Sequence, residues 1–355
     1  MQQWLMNTLK CPVCKASLQL QVFNTAPKEF RTGDQMLVES GVLTCTCSFI
    51  FPIVEFIPRM LIESFLDHES FLSSNVVNFA QRKQELMSRH GRIITAAINR
   101  NKATKTSFTF EWSLLKGNNE ERIWRLNEDE YKAQLFDELN LSPEYLNDKI
   151  AIDVGCGHGR STMLLSEKCA AVIGMDLGLS VEKACQNNKR ENCHFIQADL
   201  HYPPFCDHTF DVVYSSGVLH HTSNTETAFN VVSSLVKPGG VYCVWLYKRG
   251  SKRAHRLIIG LRQITKRMPL KLQFWLYLIV FVPVHKLISL SRHRKSAPWR
   301  EIMIELLDTF SPQYRFEHEP DEVKQWFSKN GFKNINVTTV NDIGFSITAR
   351  LKPVN

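Results

Sequence analysis

Three acids each close an apolar run, and the first is followed by a turn with glycine at alternate positions. Ile150-Ala151-Ile152-Asp153-Val154 runs into Gly155-Cys156-Gly157-His158-Gly159. A buried strand thus ends in a turn where a ligand can lie against bare backbone. Asp153 stands two residues before the first glycine, at the carboxyl end of the strand, where open α/β sheets bind their ligands. Asp176 closes the next apolar run, Ala171 to Met175, and falls 21 positions after Gly155. An acid at that distance accepts hydrogen bonds from ribose hydroxyls. A third run, Cys193 to Ala198, ends at Asp199-Leu200. The chemistry implied is the binding of a nucleotide-like cofactor. A nicotinamide dinucleotide is disfavoured, because its G-x-G-x-x-G fingerprint has one more residue before the third glycine and gives Asp199 no role.

A second group of residues has metal-ligand spacing. Cys11-Pro12-Val13-Cys14 is a C-x-x-C, and Cys45-Thr46-Cys47 is a C-x-C that begins 31 residues after Cys14. Two thiol pairs on turns converge into a tetrahedral thiolate site, a staple that a segment of about 55 residues with a small core needs. No thioredoxin-like strand and helix surround Cys11, so redox chemistry is disfavoured. Cys156, Cys169, Cys185, Cys193, Cys206 and Cys243 are scattered singly and read as ordinary core or surface thiols. The first residues lack a charged n-region followed by an apolar stretch, and ten cysteines without such a signal argue for reduced thiols or metal ligands. A cytoplasmic enzyme is expected.

Further motifs follow in order: Pro203-Pro204-Phe205, then Phe210 to Thr222, then Leu235-Val236-Lys237-Pro238-Gly239-Gly240 before a strand from Val241 to Trp245. From about Lys149 to Tyr247 this series resembles the class I S-adenosylmethionine-dependent methyltransferases. The resemblance implies an α/β fold, a Rossmann-like seven-stranded doubly wound sheet in the order 3-2-1-4-5-7-6, and S-adenosyl-L-methionine as cofactor. It places Gly155, Cys156, Gly157 and Gly159 against the methionyl part, with Asp153 near its ammonium group. Asp176 and Leu177 fall to the ribose, Asp199 and Leu200 to the adenine, and Ser215, Ser216 and Gly217 border the methyl group. His220 and His221, beside that loop, are the candidate general bases for a hydroxyl acceptor, packing being the competing reading. Phe49 to Arg59, after the second thiol pair, resembles the zinc ribbon that serves tRNA methyltransferases as an activator subunit. That likeness implies structural Zn2+ on Cys11, Cys14, Cys45 and Cys47, with the C-x-C a departure from the usual C-x-x-C.

The elements that must position these residues divide the 355-residue chain into five parts. Residues 1–60 are expected to form the zinc-ribbon-like domain, 61–145 a mostly helical connector, and 146–247 the cofactor-binding core. Residues 248–300 form a basic, apolar, helical insertion, and 301–355 the closing helices and strand hairpin. Within the connector, Asn99 to Thr109 is polar and reads as a loop. Phe108-Thr109-Phe110-Glu111-Trp112 resembles an aromatic motif ahead of ribbon-fused methyltransferase cores, with Trp112 covering the cofactor or shaping the acceptor pocket, an ordinary buried aromatic being the competing reading. Asn127 and Glu130 form a capping box that starts a helix with Tyr131, Leu135 and Leu139 on one face. Pro320 opens another helix, with Val323, Trp326 and Phe327 on one side, ending near Gly331.

The insertion is charged unlike the rest. Lys248 to Arg300 holds fourteen Lys and Arg and no Asp or Glu, while the whole chain stands at +8. The remainder is therefore at −6. Phe274 to Val284 is eleven apolar residues, interrupted by His285-Lys286. A spanning helix needs about 20, so a transmembrane segment is not expected. An interfacial helix on anionic lipid at the inner membrane face, a lid over a greasy or acidic substrate, and a buried hairpin with a basic rim all stay open. The acceptor expected is a small-molecule, lipid-linked or saccharide one, methylated on oxygen, with nitrogen and carbon open. An rRNA or tRNA base, bound through the ribbon, is the alternative. Oligomeric state has no signature in the sequence.

Overall fold

The computed structural model describes residues 1–115, 122, 124–250, 253–291 and 297–353, with the side chains of 253–257 left aside. Strands β1 (Gln19–Phe30), β2 (Gly33–Thr44), β3 (Ile50–Val54) and β4 (Ile57–Pro58) pair antiparallel in chain order. The long β1–β2 hairpin separates the two thiol pairs in sequence and folds back to bring them together. Its unit shares one apolar core with the main sheet, in which Leu9, Phe49 and Phe51 meet the cluster containing Ile196 and Phe205. Trp4 stacks on His194 at 5.0 Å, and the Met60 amide donates to the Gln197 carbonyl at 2.7 Å.

The main sheet holds β5 (Ile150–Val154), β6 (Ala171–Asp176), β7 (Cys193–Gln197), β8 (Phe210–Ser216), β9 (Val236–Tyr247), β10 (Phe332–Val340) and β11 (Gly344–Leu351). Its order is β10-β11-β9-β8-β5-β6-β7, which is 3-2-1-4-5-7-6 counted from β5. The strands from β5 to β9 run parallel, and β11 alone runs against them, antiparallel to both β9 and β10. Parallel strands covered on both faces are apolar throughout, which is why β5, β6 and β7 read as continuous apolar runs. The chain leaves β5 in one direction to β6 and β7, then crosses to β8 on the other side. That reversal opens a crevice at the carboxyl ends of the strands, beside Asp153, Asp176 and Asp199.

The helix Glu128–Leu139 begins with the full capping box of Asn127 and Glu130, and Leu135 and Leu139 pack on Ala151 and Val212 of the sheet. The helix Pro320–Lys329 buries Val323, Trp326 and Phe327 and leads into the β10–β11 hairpin. The loop expected over Asn99 to Thr109 does not exist: it lies inside a 35-residue helix, Phe79–Ser113. Ile94, Ala97, Asn101, Thr104, Phe108 and Glu111 recur every three or four residues and form its inner face. Half of that face is polar because it covers a polar cleft. An apolar period was therefore invisible.

The insertion holds a helix, Arg253–Thr265, and then a helical segment, Leu270–Ser291, with a π turn at Tyr277–Phe281. The π turn precedes Pro283, whose ring lacks an amide hydrogen and crowds the preceding turn. The helix is longer than its eleven-residue apolar run, against the expectation that it is too short to span. His285 and Lys286 do not end the helix; it runs for 22 residues, its most apolar 18 have mean hydropathy 1.7, and by length and composition it is enough to cross a membrane. Residues 251–252 and 292–296 of the expected insertion lie outside the described residues.

Candidate active site

The crevice is one cavity of about 720 Å³, within the size range of small-ligand sites. Its floor is the strand ends. Asp153, Gly155, Cys156, Asp176, Leu177, Asp199, Leu200, Ser216 and Gly217 all line it. Gly157, Gly159 and Ser215 do not, although Gly157 supports the wall from behind. The Ser215 hydroxyl turns back to donate to the Val154 carbonyl at 3.1 Å, as the alternation of a strand requires once Ser216 faces the cavity.

Burial tunes the acids differently. Asp153 is almost wholly buried, accepting the Thr162 hydroxyl at 2.7 Å, and burial pushes its carboxyl up to about 7. Asp176 is also pushed up by burial, although the amides of Gly157 and Gly178 donate to its two oxygens at 2.8 and 2.7 Å. Gly157 has φ +54°, a conformation costly to other residues, and a Cβ there would meet the Trp112 ring at 3.0 Å. Asp199 is held well below the usual carboxylate range. Its burial is outweighed by His201, Arg100 and Asn101. Arg100 and Asn101 donate to one oxygen at 2.6 and 2.8 Å, and the His201 amide to the other at 2.9 Å. Both Arg100 and Asn101 come from the long helix, so Asp199 ties that helix across the cleft.

The same helix supplies the roof. Trp112 stacks on His158 at 4.9 Å with its plane 24° away, above the glycine turn. Burial pushes the His158 imidazole down to about 3. Phe108 meets His221 edge-on at 4.9 Å, and Glu111 lines the cavity fully buried, with neither oxygen hydrogen-bonded.

Beyond the glycine turn, two polar groups that were not foreseen surround His221. Its Nδ1 lies 2.9 Å from the Tyr314 carbonyl, which only accepts, so Nδ1 carries a hydrogen. Nε2 is 3.4 Å from Asp308 Oδ1, and the Tyr247 hydroxyl donates to Asp308 Oδ2. Arg315 lies over the Tyr247 ring at 3.9 Å. Burial pushes the Asp308 carboxyl up, but the donors His221 and Tyr247 and the charge of Arg315 outweigh it, leaving it below its usual value. Glu111 goes the other way, raised well above the usual carboxylate value by burial first and by Asp308 second. His220 is different: it is fully buried, kept neutral by that burial, and absent from the cavity wall. Its Nδ1 accepts the Tyr247 amide at 3.4 Å, a packing role.

At the amino-terminal end the four thiols of Cys11, Cys14, Cys45 and Cys47 lie within 4.8 Å of one another. The pairs Cys11–Cys47, Cys14–Cys45 and Cys45–Cys47 stand at 3.6, 3.4 and 3.3 Å. Four sulfurs about 2.3 Å from one ion lie about 3.8 Å apart, so the donor set and spacing fit a tetrahedral thiolate metal site. The C-x-C does not prevent Cys47 from joining it.

Residues 152–244 match the family model described as a methyltransferase domain. The chain is similar to an uncharacterized methyltransferase of Mycobacterium tuberculosis, with 29% identity over 109 residues that make up 30% of this chain and 55% of that protein. It is also similar to the demethylmenaquinone methyltransferase of Corynebacterium kroppenstedtii, with 34% identity over 89 residues, 25% of this chain and 38% of that protein. Among solved structures, magnesium protoporphyrin IX methyltransferase of Synechocystis with bound SAH superposes on 72% of this chain and 100% of that one, at 16% identity and TM-score 0.43. The chain spans about half the length of the first curated relatives it matches. Asp153, Asp176 and Asp199, which line one end of the cavity, thus lie within the matched methyltransferase domain.

Proposed function

We propose that the chain transfers a methyl group from S-adenosyl-L-methionine to a hydroxyl oxygen of a small-molecule acceptor. The observation that carries this reading is one cavity with cofactor-type acids at one end and a histidine–carboxylate pair at the other. The donor set fits the cofactor: Asp153 for its ammonium group, Asp176 and Leu177 for the ribose, Leu200 beside the adenine, and Ser216 with Gly217 toward the methyl. Asp199, whose oxygens already take four donors, positions the long helix in this reading instead of reading the adenine. Cys11, Cys14, Cys45 and Cys47 hold structural zinc.

When bound, the cofactor supplies an electrophilic methyl group on a sulfonium. The protein aligns the acceptor and excludes water, a contribution of orientation. His221 Nε2 takes the acceptor's proton, and the Asp308 carboxylate 3.4 Å away stabilises the charge that results. Glu111, whose oxygens have no partner among the described residues, meets a polar group of the acceptor. Trp112 and Phe108 close the roof.

Calorimetry with S-adenosylhomocysteine tests the cofactor half: the wild type binds and Asp176→Ala does not. His221→Ala should keep that binding while methyl transfer to fractionated extract, followed with labelled cofactor, falls about 10²–10⁴-fold, the usual range for a general base. A folded wild type that ignores the ligand ends the reading.

A further inference from the structure

The helical segment Leu270–Ser291 is seated on the protein along one side only. Tyr277 and Val282 are buried with Ile302, Met303, Leu307 and Phe310 of the helix Trp299–Phe310, and Phe274, Leu278 and Phe281 pack around them. Only 11% of the apolar window is buried. On the opposite side Leu272, Trp275, Ile279, Pro283, Leu287 and Leu290 are all exposed. Their intervals of three, four, four, four and three residues average the helical period, so they form one straight stripe about 27 Å long. Exposure along it is high, at 52% for Leu272, 56% for Trp275, 67% for Ile279 and 72% for Leu290. Ile258, Leu261 and Ile264 are exposed on the neighbouring helix Arg253–Thr265. An apolar surface of this extent is rare on a monomer's water-facing side and marks an interaction site.

Charge decides what covers it. Lys271 and Lys286 stand exposed next to the stripe, Arg267 precedes it, and the sequence from Lys248 to Arg300 contains no acid. A second copy of this chain placed on the stripe would bring cation against cation. A bilayer crossing is opposed by the packed inner side, which leaves one side of the helix for lipid. A basic rim about an apolar, tryptophan-bearing stripe matches an anionic interface in which the helix lies in the membrane plane.

The cavity connects to this surface. Ile258 lines the cavity, one helical turn before exposed Leu261. Arg125, another lining residue, contacts His285 of the segment at 3.0 Å and pairs with Glu305 at 2.6 Å. We propose that the stripe docks the protein on an anionic phospholipid surface, and that the methyl acceptor is an amphiphile entering beside Ile258 from that surface. The second clause rests on the methyltransferase reading; docking does not.

Co-sedimentation of the full chain with phosphatidylcholine vesicles, with and without phosphatidylglycerol, tests docking. Binding is expected to the anionic vesicles only, weakening as salt rises. The triple variant Trp275→Ser, Ile279→Ser, Leu287→Ser should bind at least about tenfold less tightly, from lost apolar burial alone. Its melting temperature and S-adenosylhomocysteine affinity should not change. Lys271→Glu with Lys286→Glu should also weaken vesicle binding. Docking is overturned if the folded, ligand-binding wild type ignores anionic vesicles. Salt-sensitive RNA binding in place of vesicle binding overturns it too, as does a wild-type dimer that the serine variant dissociates. If vesicles bind but S-adenosylhomocysteine does not, docking stands and only the acceptor clause falls.

Discussion

Asp153 is the residue whose protonation the structure sets most sharply. It is buried beneath the proposed ammonium site beside Thr162, and burial pushes its carboxyl up to about 7 in the free protein. An ammonium group beside it favours the ionised form, lowering that value on binding. Ligand affinity is therefore fully present above pH 7 and is lost as pH falls, by up to about tenfold per unit below that point. Calorimetry with S-adenosylhomocysteine between pH 6 and 8 should show this slope, with proton release on binding below pH 7. Asp153→Asn should flatten it. A wild-type affinity independent of pH would remove the ammonium role. The acid itself was legible from sequence because it ends an apolar run before glycine. Asp308 and Tyr247 were not: they lie 61 residues apart, and only packing of the helix Trp299–Phe310 against the end of β9 brings them to His221.

At the scale of elements, sequence patterns were informative where burial was apolar and failed where it was polar. Strand ends, the Asn127 capping box and the closing hairpin each leave a pattern of side-chain types. The long helix leaves none over Asn99 to Thr109, since its inner positions Asn101 and Glu111 are polar and its outer ones solvated. Ala103 distinguishes helix from loop, because it sits on the exposed side with no packing to confuse the result. Ala103→Pro removes an amide donor and crowds the carbonyl of Asn99, costing about 3 kcal/mol in a helix interior and almost nothing in a loop. Urea denaturation should report that loss, together with weaker S-adenosylhomocysteine binding as the Arg100 and Asn101 clamp on Asp199 loosens. Unchanged stability would mean that the roof is not helical there.

For the whole molecule the question is whether the thiolate unit is an appendage or part of one cooperative structure. Its contacts favour the second. Arg59, at the end of β4, is buried and pairs with Glu182 at 2.9 Å while its other nitrogen donates to Gln197 Oε1 at 3.3 Å. The Gln197 amide in turn donates to the Leu177 carbonyl at 3.1 Å, and Leu177 lines the cavity. The Lys10 amide donates to the Pro204 carbonyl at 2.8 Å, and the Lys28 ammonium to the Cys185 carbonyl at 2.9 Å. A thiolate-bound metal contributes to folding outright, since an unfolded chain has no preformed site. Metal analysis should find about one zinc per chain, by the count of four thiolates. Removing the ion, or substituting Cys11→Ser, should lower a single calorimetric transition by several degrees, at about 2–4 °C per kcal/mol for domains of ordinary size. Weaker S-adenosylhomocysteine binding should accompany it, transmitted through Arg59, Gln197 and Leu177. Two separate transitions, the upper one and the ligand affinity both untouched by metal loss, would instead make the thiolate unit an independent module, and Arg59→Met would then leave the cavity unaffected.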